Sequence, residues 1–299
     1  MISKTQLRLQ FLVLLWGFTG IFGKLVTISA LPMVWFRMGI AAVAIFLYLK
    51  FRRVKIEACK SQLLSFVGIG FIIAFHWFAF YLSIKVSNVS VALSTLSMGA
   101  LFTSFLEPIF FKRKIDVQEV IIAIIVSVCV MMIFQANPHY VLGIVLGIFT
   151  SFLSALFSVL NAKVQQNSDP INITLFEMLG GFACITLMIP IFQPNAIQEI
   201  ATISWANFGW LALLGIVFTA FAQIEAVALL KYISPYTIML NVNLEPIYGI
   251  VLAYLIFGDS EQMSPMFYFA TLVMILAIIV NGILKHKRRA KRLNKRLDS

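Results

Sequence analysis

The chain has 299 residues, 61% of them hydrophobic and only 12% charged, with a formal net charge of +11. Soluble domains carry roughly a quarter charged residues, and a mean hydropathy of +0.96 excludes a water-soluble globule. The excess of Lys and Arg does not read as a nucleic-acid footprint either. It falls in short clusters between long apolar runs, as membrane topology signals do.

A helix needs about 20 apolar residues to cross the bilayer hydrocarbon. By that ruler the first half holds apolar runs at 9–28, 31–49, 62–84, 89–111 and 117–134. After the polar break Gln135-Ala136-Asn137-Pro138-His139 come runs at 140–160, 171–192, 205–230, 235–257 and 265–284. The first run is longer than a signal-peptide core, is interrupted by Lys24 and lacks a small-residue cleavage site, so it is expected to remain as a helix. The reading is an all-α membrane protein with ten transmembrane helices.

With the N-terminus inside, twenty of the 23 Lys and Arg fall on the cytoplasmic side, Lys85 falls outside, and Lys24 and Arg37 lie within spans. That asymmetry predicts an N-in, C-in topology. Residues 285–299 form a basic cytoplasmic tail, expected to lie on anionic lipid as an orientation signal. The three cysteines, Cys59, Cys129 and Cys184, are far apart and show no metal-ligand spacing, so neither metal nor cofactor is expected.

Five spans precede the break and five follow it. An odd number per half forces the second half to enter from the opposite side, so two halves of one fold would be related by a pseudo-twofold axis in the membrane plane. The expected inverted five-helix repeats run over 8–135 and 140–284. Segment 81–88 resembles segment 227–234, each with a lysine (Lys85, Lys231) between a third and a fourth span, and the shift of 146 continues without a gap to Phe111 over Phe257. A competing register places Leu106-Glu107-Pro108-Ile109 on the identical Leu244-Glu245-Pro246-Ile247, but the copies lie at different depths in their spans, and the helix-order register is preferred.

Several residues resemble the EamA-type family of the drug/metabolite transporter superfamily: Leu15-Trp16-Gly17, Pro32 with Arg37 five residues on, the lysine junctions, Glu245-Pro246, and Phe257-Gly258-Asp259. The resemblance covers essentially the whole chain. The first half departs from it, with Gly99-Ala100 opposite Glu245-Pro246 and Phe111-Lys112-Arg113 in place of the Gly-acid ending. It implies a central cavity open alternately to either side, and often export of amino acids or related metabolites.

Ionisable groups at mid-membrane are costly and face protein or water-filled cavities. Glu245 is the foremost candidate, about eleven residues into its span and followed by Pro246, which removes a helical hydrogen bond and is expected to break the helix there. Asn241, one turn earlier, is expected to share its face. Arg37 lies two turns into the second span, where a guanidinium can grip a carboxylate or phosphate. His76 reads either as a packing residue of an aromatic belt or as a proton relay, with Trp77 and Tyr81 beside it and Trp16 in the first span. Lys24 is expected to snorkel, Glu107 to form a surface ion pair with Lys112 or Arg113, and Glu177 and Glu225 to sit where cytoplasmic water reaches them. Two small-residue stripes, Gly143/Gly147/Ser151/Ala155 and Ser87/Ser90/Ser94/Ser97, read as helix contacts.

The function these residues favour is secondary transport of a small, amino-acid-like metabolite, as an exporter in the cell membrane, with proton coupling through Glu245 or His76 as a further expectation. No GxxxxGK[ST] loop or soluble domain points to ATP, and no nucleophile or metal motif points to an enzyme. The alternatives are a flippase for lipid or lipid-linked substrates, or a membrane scaffold. Oligomeric state is left open.

Overall fold

A computed structural model describes residues 4–96, 98–134 and 140–257, and within 265–284 all but 267, 271, 274, 275, 278 and 282. Ser97, the 135–139 break, Gly258-Asp259 and the basic tail therefore lie outside the described residues, as do the side chains of Ser90, Ser94 and Pro246.

The described residues fold into helices, with no strand among them. In chain order these are α1 (Lys4–Leu25), α2 (Ala30–Phe51), α3 (Lys60–Val86), α4 (Val89–Leu96), α5 (Gly99–Phe111), α6 (Val117–Phe134), α7 (Val141–Val164), α8 (Pro170–Phe192) and the short α9 (Ala196–Ala201). Then follow α10 (Trp205–Gly215), a π-helical turn (Ile216–Phe221), α11 (Ala222–Leu229), α12 (Pro235–Val242) and α13 (Glu245–Phe257). Seven helical segments are long and apolar enough to cross a membrane. Their outer faces leave Leu47, Leu64, Val145, Leu187 and Leu255 exposed, side chains that lipid accepts and water would not.

Local chemistry sets the helix starts. Asp169 accepts from the Ile171 N–H at 2.9 Å with Pro170 at the first helical position of α8, and Ser234 with Pro235 opens α12 in the same manner. Inside lipid no hydrophobic gradient pulls helices together, so close packing must do it. Here α3 packs on α7 and α8, α2 on α8 and α10, and α1 on α13. Gly17 permits the last contact: a Cβ there would meet Cβ of Tyr248 at 2.9 Å and the backbone nitrogen of Gly249 at 3.1 Å. Of the two small-residue stripes, Gly143 packs on Ser87 and Gly147 on Thr95, while Ser151 donates to the Leu96 carbonyl at 3.1 Å.

Three expected spans are not uniform α-helices. The run 205–230 contains the π turn, and the runs 89–111 and 235–257 are each divided in two. All four boundaries of α12 and α13 lie 146 residues after those of α4 and α5. The helix-order register therefore predicts where the second interruption falls, and the repeated Leu-Glu-Pro-Ile register does not.

Candidate functional site

A central cavity of about 80 Å³ lies among α1, α2, α3, the end of α4, α7, the π turn, α11, α12 and α13. One water needs roughly 10–15 Å³ by such a measure, so the space suits a few waters or a small solute. Trp16, Arg37, His76, Trp77 and Glu245 line it, together with Thr19, Ser154, Ser158, Asn161, Thr219 and Gln223.

Arg37 is the best-held group in it, 3% exposed. Its Nε donates to Thr219 Oγ1 at 2.7 Å and its Nη1 to the Tyr81 hydroxyl at 2.7 Å, while its guanidinium carbon lies 3.8 Å from the Trp77 ring centroid. A cation over an indole face is a favourable arrangement. Nη2 has no hydrogen-bond partner among the described residues. Thr219 occupies the π turn, where its hydroxyl donates to the Leu214 carbonyl at 2.8 Å and so keeps its oxygen lone pairs toward Arg37. π-Helical turns interrupt the regular ladder and often mark functional positions.

Glu245 is 5% exposed and begins α13, directly after the turn at 243–244. Its carboxylate forms no ion pair within 4 Å among the described residues, yet it lies within electrostatic reach of Arg37. The cavity thus carries an anion-directed group and a cation-directed group on opposing halves of the chain.

His76 Nδ1 lies 2.9 Å from the Thr150 carbonyl oxygen, and Thr150 Oγ1 donates to the His76 carbonyl at 2.7 Å. A carbonyl only accepts, so Nδ1 carries the proton and a neutral ring presents Nε2 as an acceptor. Tyr81, fully buried, holds Arg37 and does not line the cavity. Asn241 stands apart: the turn at 243–244 breaks the helical continuity to Glu245, and the Asn241 amide accepts from Gln10 at 2.7 Å and donates to the Thr237 carbonyl at 2.7 Å.

Two of the acidic residues differ from expectation. Glu177 is 0% exposed, behind the cavity wall, because α3 and α11 cover the face of α8 that carries it. Glu107 does pair with Arg113, but at 7% exposure the pair is not a surface one on its side. The left-handed turn at Lys112 (φ 50°) folds Arg113 back to Glu107 at 3.2 Å and to Glu119 at 2.7 Å, and Glu107 also accepts the Tyr236 N–H at 2.9 Å. Partial burial opposes the Arg113 charge, but Glu119 and Glu107 outweigh it and hold the guanidinium above its ordinary value. Glu225 does sit where water reaches, paired with Arg8 at 3.0 Å from Nε, and Lys24 is exposed.

Thr219 is missed by the sequence reading, as are Thr19, Ser154 and Ser158. No local sequence feature announces a π turn. Asn161 and Gln223 stand out only as polar residues within apolar runs.

Comparison with known proteins adds three findings. The sequence model of the EamA-like transporter family matches residues 9–135 and again 141–283. An uncharacterized transporter, YxxF, of Bacillus subtilis (strain 168) is 23% identical over 257 residues, 84% of this chain and 81% of that protein. One solved crystal structure of a protein superposes with a TM-score of 0.73 at 14% identity, covering 95% of this chain and 99% of that one, a likeness of fold alone.

Proposed function

The chain belongs to the EamA-like transporter family, and on that premise we propose that this multi-pass membrane transporter exports a zwitterionic, amino-acid-like metabolite by alternating access. One observation carries the substrate class. Arg37, whose Nη2 has no hydrogen-bond partner among the described residues, and Glu245 line one small cavity together with Trp16 and Trp77. A guanidinium takes a carboxylate through paired N–H donors, and a buried carboxylate beside indole faces takes an ammonium. A cavity of about 80 Å³ favours a small solute over a lipid.

Alternating access rests on the relation between the halves. We read ten spans, with α6 and the helical residues of 265–284 closing the respective repeats (8–135 and 140–284), N-terminus and C-terminus inside a bacterial inner membrane. The α3–α7 contact has its counterpart in α1–α11, α3–α8 in α2–α10, and α1–α13 in α4 and α5 on α7. Those reciprocal pairings are what a twofold relation between the halves produces, and the odd number of spans read in each half makes it an inverted one. The two matches of the family's sequence model support the same division.

The test is a metabolite profile of medium and cells for deletion, overexpression and an Arg37→Ala/Glu245→Ala double variant confirmed in the membrane. A solute that accumulates outside with the active protein, and not with the variant, is the expected result. No change in any soluble metabolite would sink the exporter reading and bring lipid transport forward.

A further inference from the structure

Two polar residues of the cavity lining, Asn161 on α7 and Gln223 on α11, are 1% and 6% exposed, and behind them lies Glu177 on α8, at 0% exposure. Gln223 Nε2 donates to Glu177 Oε2 at 3.3 Å, and the Asn161 side chain reaches the same carboxyl group. Two acceptor atoms remain fully buried without a hydrogen-bond donor, Glu177 Oε1 and Asn161 Oδ1. Buried oxygens without donors are rare in folded proteins because each forfeits its bond to water. The group is incomplete as it stands.

Two things could complete it, a cation or a proton. Two free oxygens are far too few to replace the shell of a hard metal ion, which takes six or more. A single proton on Oε1 satisfies the carboxyl group, supplies an O–H donor beside Asn161, and removes a charge that no neighbour compensates. The other charged and titratable groups on the packed helices are engaged elsewhere: Arg37 of α2 with Thr219 and Tyr81, His76 of α3 with Thr150, Glu199 of α9 with Ser29, and Glu225 of α11 with Arg8. Lys163 of α7, Lys50 of α2 and Lys60 of α3 are exposed, and Lys85 of α3 donates to the Val26 carbonyl at 2.8 Å. An isolated carboxylate is not stable in such a place unless it takes up a proton.

We propose that Glu177 is a proton-binding site of this transporter, reached from the cavity past Gln223 and Asn161, which line it. A proton from cavity water forms the O–H bond on Oε1 and leaves a neutral carboxyl; the reverse step returns the proton to water and the negative charge to Glu177. Gln223 and Asn161 touch both the cavity and the acid, so a solute that moves them changes how readily the proton leaves. The site rests on the transporter reading and gives it a coupling ion, at a residue other than Glu245 or His76.

Infrared difference spectroscopy of the full-length protein in liposomes, stepped from neutral to alkaline pH, tests this with the proton itself as probe. The expected result is a protonated-carboxyl C=O band that fades on the alkaline step, is lost in Glu177→Gln, moves in frequency in Glu177→Asp, and persists in Glu245→Gln. A band that survives Glu177→Gln, fails to move in folded Glu177→Asp, or vanishes in Glu245→Gln overturns the proposal. Export without a Glu177-dependent band would sink the proton site alone. The band without export of any soluble metabolite would leave the site and sink the exporter reading.

Discussion

Glu107 and Tyr236 are joined across the two halves of the chain: Glu107 Oε2 accepts the backbone N–H of Tyr236 at 2.9 Å, in the first turn of α12. That N–H has no acceptor within its own helix, and a carboxylate there also meets the positive end of the helix dipole. Glu199 does the equivalent at the opposite end of the bundle. Its two oxygens accept the backbone N–H of Ser29 at 2.7 Å and the Ser29 hydroxyl at 2.9 Å, where α2 begins. Gln193 and Lys85 tie the same connection, through Ser29 Oγ at 2.6 Å and the Val26 carbonyl at 2.8 Å. In each case a carboxylate from one half of the chain holds the start of a helix in the other half.

If these contacts are latches, removing one opens one side. Glu199→Ala should expose the cavity from the Ser29 side and Glu107→Ala from the Tyr236 side. Hydrogen bonds to charged groups contribute about 1.5–3 kcal/mol, enough for a shift of roughly tenfold or more between open and closed forms. The measurement is labelling of a cysteine placed at Thr19, with Cys59, Cys129 and Cys184 replaced by serine, by an impermeant thiol reagent applied to each face. Equal labelling from both faces in both variants would show that the contacts only brace the fold.

Thr219→Val keeps the shape of the π turn but leaves the Arg37 Nε without its acceptor. A buried donor stranded in this manner costs about 1–3 kcal/mol, or roughly 5- to 150-fold in affinity for a solute that depends on Arg37 orientation. Thr219→Ser should restore binding, since it retains the hydroxyl that bridges Arg37 and the Leu214 carbonyl. Concentration-dependent export would read this as a raised KM with the amount of folded protein unchanged. A normal KM in Thr219→Val would mean that Tyr81 and Trp77 alone position the guanidinium.

Glu245→Gln separates recognition from coupling. With Glu245 as the partner of the solute's ammonium, the variant loses affinity but keeps any dependence of flux on the pH gradient. Flux measured in proteoliposomes, with and without an imposed gradient, decides the matter. Loss of the gradient dependence would transfer the proton from Glu177 to Glu245.

How much of this is legible in the sequence follows from the range of each interaction. Membrane residence and the order of the helices are readable because lipid imposes a length and an apolarity on every crossing, and the 146-residue shift carries the interruptions of α4–α5 and α12–α13 with it. Arg37 and Glu245 stand out because ionisable groups inside apolar runs are costly. The partnerships are not readable. Nothing near Thr219 signals that it will face Arg37, 182 positions away, and Glu107 beside Lys112 and Arg113 looks like a surface pair until α12 arrives with the Tyr236 N–H. Asn241 misleads for a local reason, since its one-turn spacing from Glu245 assumes a continuous helix that the turn at 243–244 interrupts.

Two glycines of α3 give the sharpest contrast available for packing. A Cβ at Gly68 would meet nothing within 4 Å, whereas at Gly70 it would fall on the carbonyl oxygen of Glu177 and lie 2.9 Å from that residue's carbonyl carbon. The obstacle is backbone, which cannot swing aside as a side chain does. In a helix interior Ala is favoured over Gly by about 0.8–1 kcal/mol, so Gly68→Ala should be neutral or stabilising. Gly70→Ala must instead push α3 away from α8, and overpacking of this kind costs about 1–3 kcal/mol. It should lower the melting temperature in detergent and loosen the burial of Glu177. Thermal unfolding of the two single variants side by side checks this, and equal melting temperatures would show that the α3–α8 contact yields more easily than its geometry implies.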